Sequence, residues 1–241
     1  MQRSIRYGDA RIAFAICFAP KPRRRITIHV LPEGSIRVDA PEDATPELVM
    51  AAVQRRARWL WCELEARRER CLHVLPREYV SGESHFYLGR RHMLKVELVE
   101  GGKTSVKLLR GKLLVAVPRR DPLLVRASLE DWYRQRAREV FARRLAELAP
   151  RLPWLSAVPS FRLLNMRTQW GSCSPSGELV LNPQLVKAPR VCIDYVIFHE
   201  LCHLREHNHS PEYYRLLESV MPDWVSHKAM LDGLAELLLN R

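Results

Sequence analysis

Short runs of apolar and β-branched residues open the chain at 12–18 and 25–30, each the length of a strand, and a turn at Pro32 and Gly34 leads into a third at 35–39. Pro41 and Pro46 break this pattern. From 47 to 69 the apolar positions recur at helical spacing on a strongly charged background, which predicts one amphipathic helix with Arg55, Arg56 and Arg58 on its solvated face. After Tyr79 the period falls back to two. The segments 84–88, 92–99, 105–110 and 112–117, separated by Gly89, Gly101, Gly102 and Gly111, predict a small antiparallel sheet packed with the preceding helix.

Pro118 and Pro122 mark a boundary before a long helical pattern at 124–148, which offers Trp132, Val140, Phe141, Leu145 and Leu148 for burial. Beyond Pro150 and Pro153, two short strands at 160–167 and 178–181 suit a hairpin, with a turn-like 171–177 between them. Helical spacing returns at 191–206, where Val196, Ile197, Leu201 and Leu204 are core candidates, then at 211–220 and 226–239. There is no internal repeat and no low-complexity tract. The expected fold class is α+β in two parts, a sheet-and-helix region over 1–120 and a second domain over 121–241.

The chemistry concentrates in the third of these helical segments, 191–206. His199–Glu200–Leu201–Cys202–His203 is an HExxH motif inside a helix inferred independently from apolar spacing. Residues four apart lie about 40° apart around a helix, so both imidazoles can face one metal ion with Glu200 beside them. This is the arrangement of a zinc hydrolase, in which the glutamate takes a proton from an activated water and returns it to the leaving amine. A catalytic zinc takes a third protein ligand. His209, ten residues after His199 and beyond a polar break at His207 and Asn208, ranks first, ahead of His207, which rigid helix geometry places poorly. The metzincin pattern has the same spacing but carries Gly where this chain has Glu206, and a gluzincin-type glutamate ligand would come from Glu212 or Glu218.

The ordered set Met166-Arg-Thr-Gln-Trp-Gly-Ser-Cys-Ser174, Leu181-Asn-Pro183, Asp194-Tyr-Val196, His199-Glu-Leu-Cys-His-Leu204, Asn208-His-Ser-Pro211 and Pro222-Asp-Trp224 resembles the YgjP-like metallopeptidase family, also called the domain of unknown function 45 group. The likeness extends to Tyr79-Val-Ser-Gly82 and Phe86-Tyr-Leu-Gly89 and so covers nearly the whole chain. The resemblance implies a zincin-like domain with metal ligands at His199, His203 and His209 and Glu200 as the catalytic residue; the expectation is that a small mixed sheet-and-helix region precedes it, that Zn2+ is the cofactor, and that a peptide or unfolded protein is the substrate. More distantly, the segment beginning at His209 is similar to the third-ligand region of SprT-like and WLM-type proteases, groups that include enzymes acting on proteins crosslinked to DNA. The rival expectations are a nucleic-acid-associated binding protein with a structural metal and a metal-dependent hydrolase of a non-peptide amide.

Several neighbours have two readings. Gly171 permits a tight turn or a close backbone approach to the site, and the strand around Trp170 is either a substrate-facing edge or a structural hairpin. Arg167 is a candidate oxyanion donor. Asp194 is a helix cap or orients a ligand imidazole, while Cys202 reads as buried structure. Of Tyr213 and Tyr214, one belongs to the core and one can donate to a carbonyl oxygen; Trp224 is expected to pack under the site loop. No phosphate-binding glycine motif is present.

Charge changes the picture in one respect. The chain has 39 basic and 27 acidic side chains, and residues 1–120 hold 24 and 13 of them against 15 and 14 in residues 121–241. Such a field attracts nucleic acid or other polyanions without specifying any, and Arg23, Arg24, Arg25, Arg90 and Arg91 are candidates for salt-sensitive contacts. With no apolar run long enough to cross a bilayer and no secretory signal, the expectation is a soluble cytoplasmic protein without membrane contact. The six cysteines lie far apart with no CxxC pair, which fits reduced thiols.

Overall fold

The computed structural model describes residues 2–8, 10–19, 26–30, 34–71, 76–166, 169–174 and 177–240. Two compact units divide the chain, Met1–Leu75 and Pro76–Arg241.

The first unit is a four-stranded sheet with two helices. β1 (Gln2–Tyr7), β2 (Ala10–Ala19), β3 (Thr27–Val30) and β4 (Ile36–Pro41) lie in the order β1-β2-β4-β3, with β2 and β4 parallel and the other pairs antiparallel. Ile12, Phe14 and Ile16 alternate inward and share a core with Ile36, Val38, Val49, Val53 and Leu60. β1 escapes the apolar pattern because this edge strand buries Ile5 alone. The single helix expected over 47–69 is two, α1 (Pro46–Arg55) and α2 (Ala57–Cys71). Thr45 caps α1 by accepting from Leu48 N, and the break is one tightened turn in which Arg56 N donates to Val53 O. Val49, Val53, Ala57 and Leu60 continue one apolar stripe across that turn, so periodicity alone does not register it.

In the second unit β5 (Ser84–Tyr87), β6 (Arg90–Leu98), β7 (Ser105–Leu109) and β8 (Lys112–Val117) form a sheet of order β5-β6-β8-β7. It is mixed rather than antiparallel, since β6 and β8 run parallel, and it packs on the helix that follows it, α3 (Pro122–Leu148). Leu94, Leu113, Val115 and Val117 share one core with Val125, Leu129, Tyr133 and Phe141. The division expected at residue 120 therefore falls inside one hydrophobic core, and the structural division is at Leu75 and Pro76. The β5–β6 turn also docks on a 3₁₀ turn at Pro183–Lys187. Leu88 N and Gly89 N donate to Val186 O and Lys187 O, and a Cβ on Gly89 would fall 2.9 Å from Pro189 Cα.

A second sheet of three short strands follows: β9 (Phe161–Leu163), β10 (Gly171–Cys173) and β11 (Leu179–Leu181), in the order β10-β11-β9. The two strands expected to form a hairpin, β9 and β11, pair in parallel; the antiparallel partner of β11 is β10, which the sequence reads as turn. Three residues are too few to display alternation, so pairing is set by register with β11. The unit closes with α4 (Arg190–His203), α5 (Pro211–Val220) and α6 (Trp224–Leu239). Asp121 caps α3 and Ser210 caps α5 through their side-chain oxygens. Among the described residues no helix is long and apolar enough to cross a membrane, and Cys17, Cys62, Cys173, Cys192 and Cys202 are free thiols.

Candidate metal centre

α4 is buried along most of its length by Cys192, Ile193, Val196, Ile197, Leu201 and Cys202, which fixes the direction of the residues that remain. His199 and His203 stand one turn apart at its C-terminal end. The chain then unwinds through 204–206, with Arg205 N and Glu206 N both donating to Cys202 O, and Ser210 restarts it as the cap of α5. His209 is the residue before that cap, so the turn between the helices carries its imidazole back to α4. The Nε2 of His209 lies 3.2 Å from the Nε2 of His203 and 3.2 Å from that of His199. His207 is exposed and outside this group, as are Glu212, which pairs with Arg215 at 2.7 Å, and Glu218.

Three converging ring nitrogens have no hydrogen-bonding solution that satisfies them all. His203 Nδ1 lies 3.0 Å from Glu206 O, and because a carbonyl only accepts, Nδ1 carries the proton and Nε2 presents a lone pair to the cluster. Burial pushes the His199 imidazolium pKa down to about 3, helped by His203, His209 and Lys228, and burial also lowers His203 and His209. Neutral imidazoles at this separation suit a cation: bonds of about 2.0–2.1 Å at tetrahedral angles put ligand nitrogens roughly 3.3 Å apart. The donor set therefore fits a metal ion. Among the described residues, His199 Nδ1 is buried without a hydrogen-bond partner, so His199 lacks the protein-side hold that His203 has.

Tyr213 forms the floor of the cluster. Fully buried, it stacks on His203 with ring centroids 4.6 Å apart, meets His199 and His209 edge-on, and donates its hydroxyl to His199 O at 3.1 Å. Of the two tyrosines it is both the core residue and the donor to a carbonyl. Tyr214 is 40% exposed and is stacked between His209 at 6.0 Å and Trp224 at 5.4 Å.

Glu200 is only 4% exposed, and burial pushes its carboxyl up to about 8. Its neighbour across the chain is Gly171 on β10: a Cβ built there would fall 2.6 Å from Glu200 Oε1 and 2.8 Å from Cγ. The close backbone approach open to Gly171 is thus to the motif glutamate itself. Trp170 O accepts from Asn182 N and Ser174 N donates to Glu178 O, so these alternate residues face β11 and the peptide groups of Gly171 and Cys173 turn to the open edge of the sheet. Cys173 is half-buried, its thiol raised to about 11 by burial and by Glu200.

Asp194 neither caps α4 nor reaches a histidine. It lies inside the helix and takes a bidentate pair from Arg144, at 2.6 and 2.8 Å, which ties α3 to α4. Fifty residues separate the partners, beyond the reach of local sequence signals. Cys202 is buried with its thiol raised to about 12. Arg167 and Arg23, Arg24 and Arg25 lie outside the described residues.

A model of the YgjP-like, metallopeptidase domain family matches residues 24–233. Among solved structures, the chain is similar to the crystal structure of the metallopeptidase zymogen of Pyrococcus abyssi abylysin, with 21% identity and a TM-score of 0.32 over 43% of this chain and 97% of that chain. No curated protein matches the chain.

Proposed function

This chain belongs to the YgjP-like metallopeptidase domain family, and from that premise we propose that it is a zinc-dependent peptidase with His199, His203 and His209 as metal ligands and Glu200 as general base and acid. The observation that carries the proposal is the convergence of three neutral imidazoles, with His209 Nε2 3.2 Å from the Nε2 of both His199 and His203, beside a buried glutamate on the helix that carries those two. All-imidazole coordination suits zinc, with a fourth position left for water. Bound there, zinc would polarise a scissile carbonyl and acidify water near neutral pH.

The protein's own part begins with Glu200, which takes the proton of the attacking water and delivers it to the leaving amine. A carboxyl raised to about 8 by burial suits a group that must both accept and release a proton near neutrality. Gly171 leaves space for that carboxyl and, with Cys173, offers outward peptide groups to which an extended substrate can add as a further strand. The free thiols favour a reducing compartment such as the cytoplasm.

The substrate class is tested by incubating the zinc-loaded chain with an unfolded protein and identifying new termini by mass spectrometry. New α-amino termini are expected. Hydrolysis of small non-peptide amides with the protein untouched would make the site a narrow-pocket amidase, and full zinc occupancy without hydrolysis of either would make the metal structural.

A further inference from the structure

The outer face of the β5–β8 sheet carries a pattern that the peptidase proposal does not use. Residues 76–120, inside the second unit, hold ten basic and four acidic side chains, and the strands themselves carry five of the basic ones, Arg90, Arg91, Lys95, Lys107 and Lys112, against Glu97. Register sorts the side chains. Leu94 and Val96 share the inner face with Leu113 and Val115, so the intervening residues share the outer one. There, Lys95 on β6, Leu114 on β8 and Lys107 on β7 stand in one cross-strand row, and Met93, Lys112 and Leu109 stand in the next. The result is a checkerboard in which Lys112 is flanked by Met93, Leu109 and Leu114 and in which Lys95 and Lys107 flank Leu114, at steps of about 4.8 Å across strands and about 6.7 Å along them, with Glu97 bordering the face beyond Lys95.

Met93 and Leu109 are 53% and 54% exposed. Lys107 and Lys112 make no ion pair among the described residues, whereas Lys95 pairs with Glu97 at 2.6 Å. Arg91 extends the face, its guanidinium 5.4 Å from the centroid of the Phe86 ring, with which it is in register.

We propose that this face binds single-stranded nucleic acid, its lysines meeting phosphates and its apolar cells meeting unstacked bases. A single strand alternates anionic groups with apolar planes at comparable intervals and combines salt-dependent contacts with base packing. A duplex keeps its base faces stacked inside and would leave Met93, Leu114 and Leu109 without partners. An anionic membrane surface is matched by amphipathic helices that sink their apolar side into the headgroups, and a sheet face with lysines between its apolar residues presents no such wedge. This binding is independent of the peptidase chemistry.

The test is fluorescence anisotropy of the full chain with a labelled oligonucleotide of roughly 20 nucleotides, single-stranded or duplex, across a salt series. Removing Lys95, Lys107 and Lys112 together (K95Q, K107Q, K112Q) is expected to weaken single-strand binding by more than about tenfold and to reduce the slope of log K against log salt by about 0.7 per cation. Met93→Ser with Leu109→Ser is expected to weaken binding at unchanged slope. Arg55→Gln, Arg56→Gln and Arg58→Gln, an equal charge loss in the first unit, is expected to leave it within about twofold, with melting curves confirming that each variant folds. Equal losses from both triple variants, duplex bound as tightly as single strand, or binding only to phosphatidylserine vesicles would overturn the proposal.

Discussion

His85 and His199 lie in the same unit, the first buried and the second half-buried, and desolvation holds both at about 3, yet they sit in opposite kinds of surroundings. His85 Nε2 faces the Glu83 carboxylate at 3.1 Å, and a neutral ring donating that proton satisfies both groups. The same carboxylate accepts from Glu78 N and Tyr79 N, so the histidine completes a local polar knot that fixes the corner leading into β5. His199 Nε2 instead faces another imidazole nitrogen, with a third beyond it. Burial and a lowered pKa therefore do not distinguish core from site. What distinguishes them is whether the polar groups that meet are complementary to one another or only to something added.

The largest expected effect comes from removing one of the converging nitrogens. His203→Ala should lower zinc affinity by more than about 100-fold in chelator competition, since losing even a residue that orients a ligand lowers affinity by about 10- to 100-fold. His85→Ala should leave zinc stoichiometry unchanged while lowering the melting temperature. Equal zinc affinity in wild type and His203→Ala would erase the distinction.

Gly171→Ala is next. Its Cβ enters the space of Glu200 Oε1, where the ideal separation is 2.6 Å, so the carboxyl must shift. Peptide cleavage should fall by about 100-fold in kcat/KM while zinc affinity stays near wild type, because misplacement by about 1 Å has that effect on a reacting group. A parallel loss of zinc would mean that β10 supports the ligands rather than the glutamate.

Tyr214→Leu removes the ring that stacks on His209, the one proposed ligand carried on a turn. Zinc should dissociate about tenfold faster by stopped-flow chelation, with Tyr214→Phe close to wild type. Unchanged dissociation would assign the hold on His209 to Tyr213 alone.

The effect read in stability rather than in zinc binding or cleavage belongs to His85 and acid. Its pKa of about 3 in the folded chain lies below the ordinary 6.5, so between those values the unfolded chain binds the extra proton. The stability that comes from keeping the ring neutral is fully present above about pH 6.5 and is lost as pH falls toward 3, by at most about 1.4 kcal/mol per pH unit. Melting curves from pH 7 to pH 4 should fall less steeply for His85→Gln than for wild type. Parallel curves would mean that His85 is already charged against Glu83 in the folded chain.

The two histidine environments also mark what sequence alone can reach. The i, i+4 spacing on α4 and the polar break before Ser210 make the imidazole cluster legible, because both are local features of helix geometry. The partner that crowds Glu200 is not local. Gly171 sits on a three-residue strand whose place depends on antiparallel register with β11, and β11 in turn pairs in parallel with β9, so the hairpin expected from turn residues joins the wrong strands. The polar knot at His85 and the Arg144–Asp194 pair are likewise tertiary. The division at residue 120 misleads for a related reason: Pro118 and Pro122 end a strand and start a helix, but the apolar faces on either side close on each other.

The most direct test of the central claim is the single-turnover rate of peptide-bond cleavage by wild type and Glu200→Gln at matched zinc occupancy. Equal zinc binding and a rate at least about 100-fold lower in the variant are expected, the contribution of a positioned general base. Cleavage by metal-replete Glu200→Gln within a few-fold of wild type would contradict it.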